Sequence, residues 1–254
     1  TFGDLALSMD VVNPGSTFGA FFDAFGMLPM PVLVGLCFAG LCVTTQNWIG
    51  RILFAILAYV AAVVTVYLIF KTSYFQFEGV LFWGLALGCG LLLLGPLLWC
   101  ARILARRDHG ALRRAAWIGI FTLVFATLFL EGAKQLWGRQ RFRSMSDPTT
   151  QFSPWYQIRG YAQSDVYKSF PSGHSCRSAY FLLIACFPIR KHAKLIWIIL
   201  AALWTLCVMV SRVIVGAHFA TDVLCGAMLG ITWIYVFDRV LPRQKHTPMS
   251  PSAR

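Results

Sequence analysis

Two histidines and one aspartate stand at the ends of long apolar runs, where charge is costly unless it serves a site. His218 and Asp222 are four residues apart at the start of one run, so they share a face if it is helical. A carboxylate beside one ring nitrogen fixes the imidazole tautomer and leaves the other nitrogen free as a nucleophile. Ser211 and Arg212 end the preceding run, and an arginine fork matches the oxygens of a phosphate group. This stretch therefore indicates phosphoryl chemistry.

The sequence Pro171-Ser172-Gly173-His174 lies where a loop enters the next apolar run. A helix N-terminus presents unpaired N–H groups and a favourable dipole to an anion. Gly173 lets a ligand approach the backbone, Ser172 adds a hydroxyl donor, and His174 is placed as a general acid for a leaving oxygen. The alternative is that Ser172 simply caps the helix.

A basic cluster ends a third apolar run. One lysine or arginine at a helix end is explained by snorkelling to the interface, but this cluster exceeds what an anchor needs and favours an anionic ligand. Lys134 and Arg141 are seven residues apart, about two turns, and point the same way if the helix continues through Gly138. The cluster consists of Lys134, Arg139, Arg141 and Arg143.

Three weaker site candidates accompany these stretches. Glu131, one turn before Lys134, either orients that lysine or forms a structural ion pair. Arg177, one turn after His174, either touches the site or snorkels. Ser211 is the third, as the neighbour of Arg212.

The elements that position these residues belong to a membrane protein. Hydrophobic residues make up 58% of the chain and charged residues 13%, against about 45–50% and about 25% in soluble domains. A spanning helix needs about 20 apolar residues, and the runs lack the alternation of barrel strands. We predict an all-α, polytopic transmembrane helix bundle with six to seven spans. The runs are 29–46, 52–70, 79–100, 115–135, 174–188, 193–212 and 218–238.

The formal charge of +12 is concentrated between these runs, at 101–114, at 189–194 and after residue 238. Helix counting puts these segments on one side, and the positive-inside bias makes that side cytoplasmic. We therefore expect an inner (plasma) membrane protein with a cytoplasmic C-terminus and all motifs on the extracytoplasmic face. Nucleic acid is disfavoured as a partner because the cations flank spans. Since the chain begins with Thr1, we expect either one more span upstream or an outer N-terminus.

We predict a single membrane domain at 29–240, preceded by an extracytoplasmic or interfacial segment at 1–28 and followed by a cytoplasmic basic tail at 241–254. The loop 142–170 is either a lid that contacts a headgroup or a plain connector. The eight cysteines lie in or beside apolar runs and form no C-x-x-C pair. Neither a disulfide framework nor a metal or other cofactor is expected.

Together the three stretches resemble the type 2 phosphatidic acid phosphatase superfamily, whose site architecture is shared with vanadium haloperoxidases. The family pattern is K-x6-R-P, then P-S-G-H, then S-R-x5-H-x3-D. All three parts occur here in order and with matching spacing, except that Phe142 replaces the proline after Arg141. The resemblance covers about 115–238 and implies a phosphatase/haloperoxidase-like helical core there.

The resemblance also implies residue roles in a metal-independent reaction. His218 would attack phosphorus and form a phosphohistidine, with Asp222 orienting its ring. His174 would protonate the leaving alcohol and later activate water. The phosphate oxygens would be held by Lys134, Arg141, Ser172, the Gly173 N–H and Arg212.

The membrane setting favours a lipid phosphate monoester or diphosphate as the substrate. Candidates are phosphatidate, phosphatidylglycerol phosphate, an isoprenoid diphosphate and a lipid A phosphate. Alternatives are phosphate transfer to another lipid, a soluble substrate such as a sugar phosphate, and a non-enzymatic anion-binding transporter or receptor. A haloperoxidase would need bound vanadate. Two histidines and Asp222 favour catalysis, because anion binding alone needs only the cations. No obligate protein partner is indicated.

Overall fold

The computed structural model describes residues 2–72 and 79–243. All regular secondary structure in these two stretches is helical, which confirms the predicted all-α fold. Three short 3-10 segments, Phe142–Ser144, Asp165–Tyr167 and Tyr180–Cys186, accompany the α-helices. The α-helices are α1 (Phe2–Val11), α2 (Thr17–Phe25), α3 (Pro29–Thr44), α4 (Trp48–Phe70), α5 (Gly79–Arg107), α6 (His109–Trp137), α7 (Pro148–Gln151), α8 (Gly173–Ala179), α9 (Lys191–Ile214) and α10 (Ala220–Val240).

Within the described residues, six helical stretches are long and apolar enough to cross a bilayer. They confirm a multi-pass membrane protein. The first covers α2 and α3 over Thr17–Thr44, which includes the turn at 26–28. The others correspond to α4, α5, α6 with its extension to Ser144, α9 and α10.

The predicted run at 174–188 is not among these six. It folds as the seven residues of α8 followed by the seven-residue 3-10 helix Tyr180–Cys186. Each is shorter than the roughly 20 residues of a regular spanning helix, but together they lead from the start of α8, next to the motifs, to the start of α9 at the other end of the bundle. The segment is enclosed by protein, with Ala179, Leu183 and Phe187 fully buried against neighbouring helices.

The boundaries of α6 determine where the first motif stretch lies. Asp108 caps its start by accepting a hydrogen bond from the Ala111 N–H at 2.8 Å. Its end is Trp137, because Gly138 adopts a left-handed conformation with φ 60° that is strained for other residues. Lys134 therefore lies on the last turn of α6, whereas Arg141 lies beyond the helix.

The two ends of the bundle are held by different contacts. At one end, Arg114 of α6 donates to Asp238 Oδ1 of α10 at 2.8 Å. At the other end, the end of α6 and the starts of α8 and α10 converge. A methyl group on Gly226 would overlap the carbonyl oxygen of Ser172, so glycine allows α10 to lie against the start of α8.

The N-terminal segment covers the end of the bundle where the motifs meet. Helix α1 contacts α9 and α10, and α2 packs along α9. Trp204 of α9 donates to the Gly26 carbonyl at 2.9 Å, and its ring meets Phe22 edge-on at 5.1 Å. Most of the predicted basic tail, residues 244–254, lies outside the described residues.

Candidate active site

His218 is held in a defined tautomer just before α10. Its Nδ1 lies 2.6 Å from the carbonyl oxygen of Ser169 and 3.9 Å from Asp222 Oδ2. A carbonyl can only accept, so Nδ1 carries the proton and Nε2 keeps its lone pair. The tautomer that was predicted to depend on Asp222 is thus set directly by Ser169, whose hydroxyl in turn donates to Asp222 Oδ2 at 2.6 Å.

Asp222 has no exposed surface and accepts hydrogen bonds from several directions. Besides the Ser169 hydroxyl, the Phe219 N–H donates to Oδ2 at 2.9 Å, which closes the first turn of α10. Oδ1 is paired with the guanidinium of Arg139. A fully buried carboxylate remains charged only when it is paired and hydrogen-bonded in this way.

Arg139 is the counter-charge of Asp222. Sequence analysis included it in the basic cluster without giving it a role of its own. Its side chain is fully buried and lies over the ring of Phe219, with 4.2 Å between Cζ and the ring centroid. Its guanidinium donates to four acceptors from three segments of the chain. These are Asp222, Asp4 Oδ2 at 3.0 Å, Thr221 Oγ1 at 3.0 Å and the Ser153 carbonyl at 3.0 Å.

Arg212 both shapes the turn before α10 and supplies a cation. Its carbonyl oxygen accepts from the His218 N–H at 3.2 Å, and its guanidinium pairs with Asp23 of α2. Ser211 is next to Arg212 in the sequence, but its hydroxyl is used within its own helix. It donates to the Val208 carbonyl at 2.8 Å.

The second stretch lies directly against the third. The Ser172 N–H donates to the Asp222 carbonyl at 2.9 Å. The Ser172 hydroxyl caps α8 by accepting from the Ser175 N–H at 3.4 Å, as the alternative interpretation held, yet its own proton can still be donated. His174 Nε2 lies 3.4 Å from Asp23 Oδ1.

Lys134 reaches this group from α6. Its Nζ would lie only 2.9 Å from a Cβ placed on Gly173, so the ammonium is next to the start of α8. Glu131 bridges Lys134 at 3.7 Å and Arg177 at 3.3 Å. Arg177 therefore faces the site and does not snorkel away from it.

Arg141, beyond α6, pairs with Asp165 Oδ2 at 3.0 Å. The Nε atoms of Arg141 and Arg212 are buried and have no hydrogen-bond partner among the described residues. Buried donors of this kind are unfavourable unless a ligand or water meets them. Their chemistry fits an oxyanion with several acceptor oxygens.

The electrostatics of the site favour neutral imidazoles. Burial, followed by the positive charges of Arg212 and Arg141, lowers the pKa of His218 well below its ordinary value. Burial and the charges of Arg212 and Arg177 likewise lower the pKa of His174. Both shifts favour the neutral imidazole, which is the state that a nucleophilic His218 requires.

The loop 142–170 is part of the site wall. Phe142, which replaces the family proline, begins a 3-10 turn and meets Phe219 edge-on at 6.1 Å. The backbone N–H groups of Arg141 and Ser169 pair with Val166 and Arg139 carbonyls, both at 3.0 Å. The loop also supplies the Ser169 carbonyl to His218, so it is more than a connector.

Sequence reasoning missed four contributors to this site. Arg139 was grouped with neighbouring cations, and nothing in the sequence singles out Ser169. Asp4 and Asp23 come from the N-terminal segment. The small number of acidic residues could have pointed to the two aspartates. The chain has only 10 acidic residues, and Asp23 is the single charged residue in the apolar helix α2.

The chain is similar in sequence to known lipid phosphatases. Over 85 residues the chain is 40% identical to phosphatidylglycerophosphatase B of Bacillus subtilis, which covers 30% of this chain and 41% of that protein. It is 32% identical over 129 residues to the lipid A 1-phosphatase of Rhizobium johnstonii, covering 50% of this chain and 48% of the relative. The corresponding enzyme of Rhizobium etli is 33% identical over 119 residues, covering 45% and 47%.

The chain spans less than half the length of each of these curated relatives. No solved structure gives a significant match. The sequence model of the PAP2 superfamily matches residues 115–245, just over half of the chain, and this range holds all three motif stretches. The chain belongs to the PAP2 superfamily.

Proposed function

We propose that this protein is an integral-membrane phosphatase that hydrolyses a lipid phosphate monoester or diphosphate through a phosphohistidine intermediate. The geometry of His218 is the main support. Its Nδ1 proton is committed to the Ser169 carbonyl, so Nε2 is available as the nucleophile. The cations around it provide the charge stabilisation on which phosphoryl transfer depends.

In the first step, Nε2 of His218 attacks phosphorus in line, and the bond from phosphorus to the leaving alcohol breaks. Protonated His174 gives its proton to that alcohol. An anionic phosphoryl group favours the charged imidazole, so substrate binding offsets the effect of burial and of Arg212 on His174. The equatorial oxygens are held by Lys134, Arg141, Ser172, the Gly173 N–H and Arg212.

In the second step, His174 removes a proton from water, which attacks the phosphohistidine. Inorganic phosphate leaves and His218 is regenerated. Asp222 stabilises the positive charge on the His218 ring from 3.9 Å, with Ser169 linking the two groups. No step requires a metal ion.

A lipid substrate is supported by an apolar cavity of about 400 Å³ between α3 and α9. Leu28, Leu33, Phe181 and Trp204 are among its lining residues. The cavity begins at the residues that follow α2, two turns from Arg212 along α9. A hydrocarbon tail would lie there with its phosphate at the cations. The activities for which the relatives are named make glycerophospholipid and lipid A phosphates the first substrates to test.

We place the reaction on the extracytoplasmic face of the inner membrane. The motif residues gather at one end of the bundle, whereas the basic segments 101–114 and 189–194 connect helices at the opposite end. The positive-inside bias assigns that opposite end, and with it the end of α10, to the cytoplasm.

The test is phosphate release by the purified protein from phosphatidate, phosphatidylglycerol phosphate, undecaprenyl diphosphate and lipid A, each with EDTA present. We expect release from at least one lipid, and its loss in His218→Ala. His192→Ala, an exposed histidine at the far end of α9, is the matched control and should retain activity.

Dependence on an added divalent ion would contradict the mechanism. Equal activity of His218→Ala and the wild type would contradict the nucleophile. If the substrate loses its phosphate and no inorganic phosphate is released, the phosphate has instead been transferred to another lipid.

A further inference from the structure

Each cation expected at the phosphoryl group is paired with a carboxylate, and none of these three carboxylates belongs to a motif. The pairs are Arg212 with Asp23, Arg141 with Asp165 at 3.0 Å, and Lys134 with Glu131 at 3.7 Å. In the described part of the chain, the side chains of Asp165 and Glu131 pair with arginine or lysine only. Asp23 differs, because it contacts a motif cation and a motif histidine at once.

One oxygen atom makes both contacts. Asp23 Oδ1 pairs with Arg212 Nη1 and lies 3.4 Å from His174 Nε2. In the proposed reaction, Arg212 holds a phosphoryl oxygen and His174 Nε2 meets the oxygen that leaves. The carboxylate oxygen therefore lies between two groups that must both face the substrate.

The position of α2 explains how a carboxylate reaches this point. The Ser16 hydroxyl caps the helix by accepting from the Gly19 N–H at 3.1 Å, and Phe22 packs on Trp204. Arg212 is 3% exposed whereas the Asp23 side chain is 46% exposed, so the carboxylate approaches the guanidinium from the outer side. A side chain in this position can rotate outward without disturbing the helix core.

We infer that Asp23 is a specificity-determining residue whose carboxylate competes with the phosphoryl group for Arg212 and His174. This inference rests on the proposed function. The carboxylate occupies Nη1 of Arg212 and the space beside His174 Nε2. A phosphoryl group that takes these contacts displaces it, and its return helps to expel inorganic phosphate. Binding energy from the rest of the lipid then compensates for the displacement, which disfavours small soluble phosphates.

The test compares Asp23→Asn and Asp23→Ala with the wild type in detergent solution. Inorganic phosphate and orthovanadate binding are measured by calorimetry and by the rise in thermal unfolding midpoint, with no turnover required. Removing a partly exposed charge competitor should tighten binding of both anions about 3- to 10-fold. The variants should also show a lower KM and stronger product inhibition.

Asp10→Asn is the control, since Asp10 is an exposed aspartate of α1 in the same N-terminal segment. It should leave anion affinity unchanged. Tightening of the same size in this control would overturn the inference, because a general charge effect would then explain it.

Two other outcomes would overturn it. Unchanged anion affinity in both Asp23 variants, with unfolding midpoints near the wild type, would show that the carboxylate does not compete. A fall in kcat without any gain in anion affinity would show that Asp23 positions His174 instead. Because binding is measured without turnover, a failure of the proposed phosphatase activity would be separate from either result.

Discussion

Replacing Arg139 should damage both the stability and the catalytic geometry of this protein. The side chain is fully buried and is shared between Asp222 and Asp4, which are also buried. In Arg139→Met the volume is largely kept, but two carboxylates lose their common counter-charge. Breaking a buried ion pair by removing one partner costs about 3–5 kcal/mol.

The effect on turnover follows from Asp222. Without Arg139, this carboxylate loses a charge-assisted hydrogen bond of about 1.5–3 kcal/mol, and it no longer holds Ser169 and the ring of His218 in one arrangement. If that energy is lost from the transition state, kcat falls on the order of 10- to 100-fold. Arg139→Lys keeps the charge but has a single nitrogen for four acceptors, so we expect an intermediate loss.

The assay is SDS-induced unfolding of the purified protein, followed by helical circular dichroism, together with kcat for the best lipid phosphate. Arg114→Met is the matched control, because Arg114 also joins the α6 region to α10 but at the opposite end. Its pair with Asp238 is partly exposed, so its loss should cost about 1 kcal/mol or less and leave kcat unchanged.

A wild-type unfolding midpoint in Arg139→Met would refute the role of Arg139 as a shared counter-charge. An equal fall of kcat in Arg114→Met would show that loosening of the bundle, and not the geometry of His218, limits turnover.

Two further predictions concern pH and the lipid tail. The pKa of His218 is lowered in the folded protein. Below about pH 6.5 the unfolded chain therefore binds a proton at this histidine that the folded protein does not bind. The free energy of unfolding should then fall by up to about 1.4 kcal/mol per pH unit for this residue. His218→Gln should therefore lose less stability than the wild type between pH 7 and pH 5; an identical loss in unfolding titrations would contradict this. Leu28→Trp, which fills the apolar cavity, should lower kcat/KM about 10-fold for long-chain substrates, equivalent to about two methylenes of burial, and spare short-chain ones. Leu53→Trp, on the exposed face of α4, is the control and should have no effect with either chain length.

The general fold and the motif residues were predictable because their signals are local. A 20-residue apolar run predicts a spanning helix from composition alone. The four-residue spacing of His218 and Asp222 predicted that they lie close together, although His218 precedes the first turn of α10. The run at 174–188 was located by its hydrophobicity, but its division into α8 and the 3-10 helix Tyr180–Cys186, and its burial inside the bundle, were not predicted. Hydropathy does not separate a lipid-facing residue from one buried in protein.

The remaining contributors depend on contacts across the chain. Asp222 needs a counter-charge, but spacing cannot choose among Arg139, Arg141 and Arg143. The tautomer of His218 depends on a backbone carbonyl, and every residue has one, so Ser169 leaves no mark in the sequence. Asp23 reaches the site only because α2 packs along α9.

The contact between Asp4 and Thr221 joins residues that are 217 positions apart. Helix α1 emerges early in synthesis and α10 late, so the charge cluster around Arg139 lacks Asp222 until the last helix is inserted. A chain that stalls before α10 would leave Arg139 with one of its two carboxylates. The complete cluster therefore forms only when the first and the last helix of the described chain are both in place.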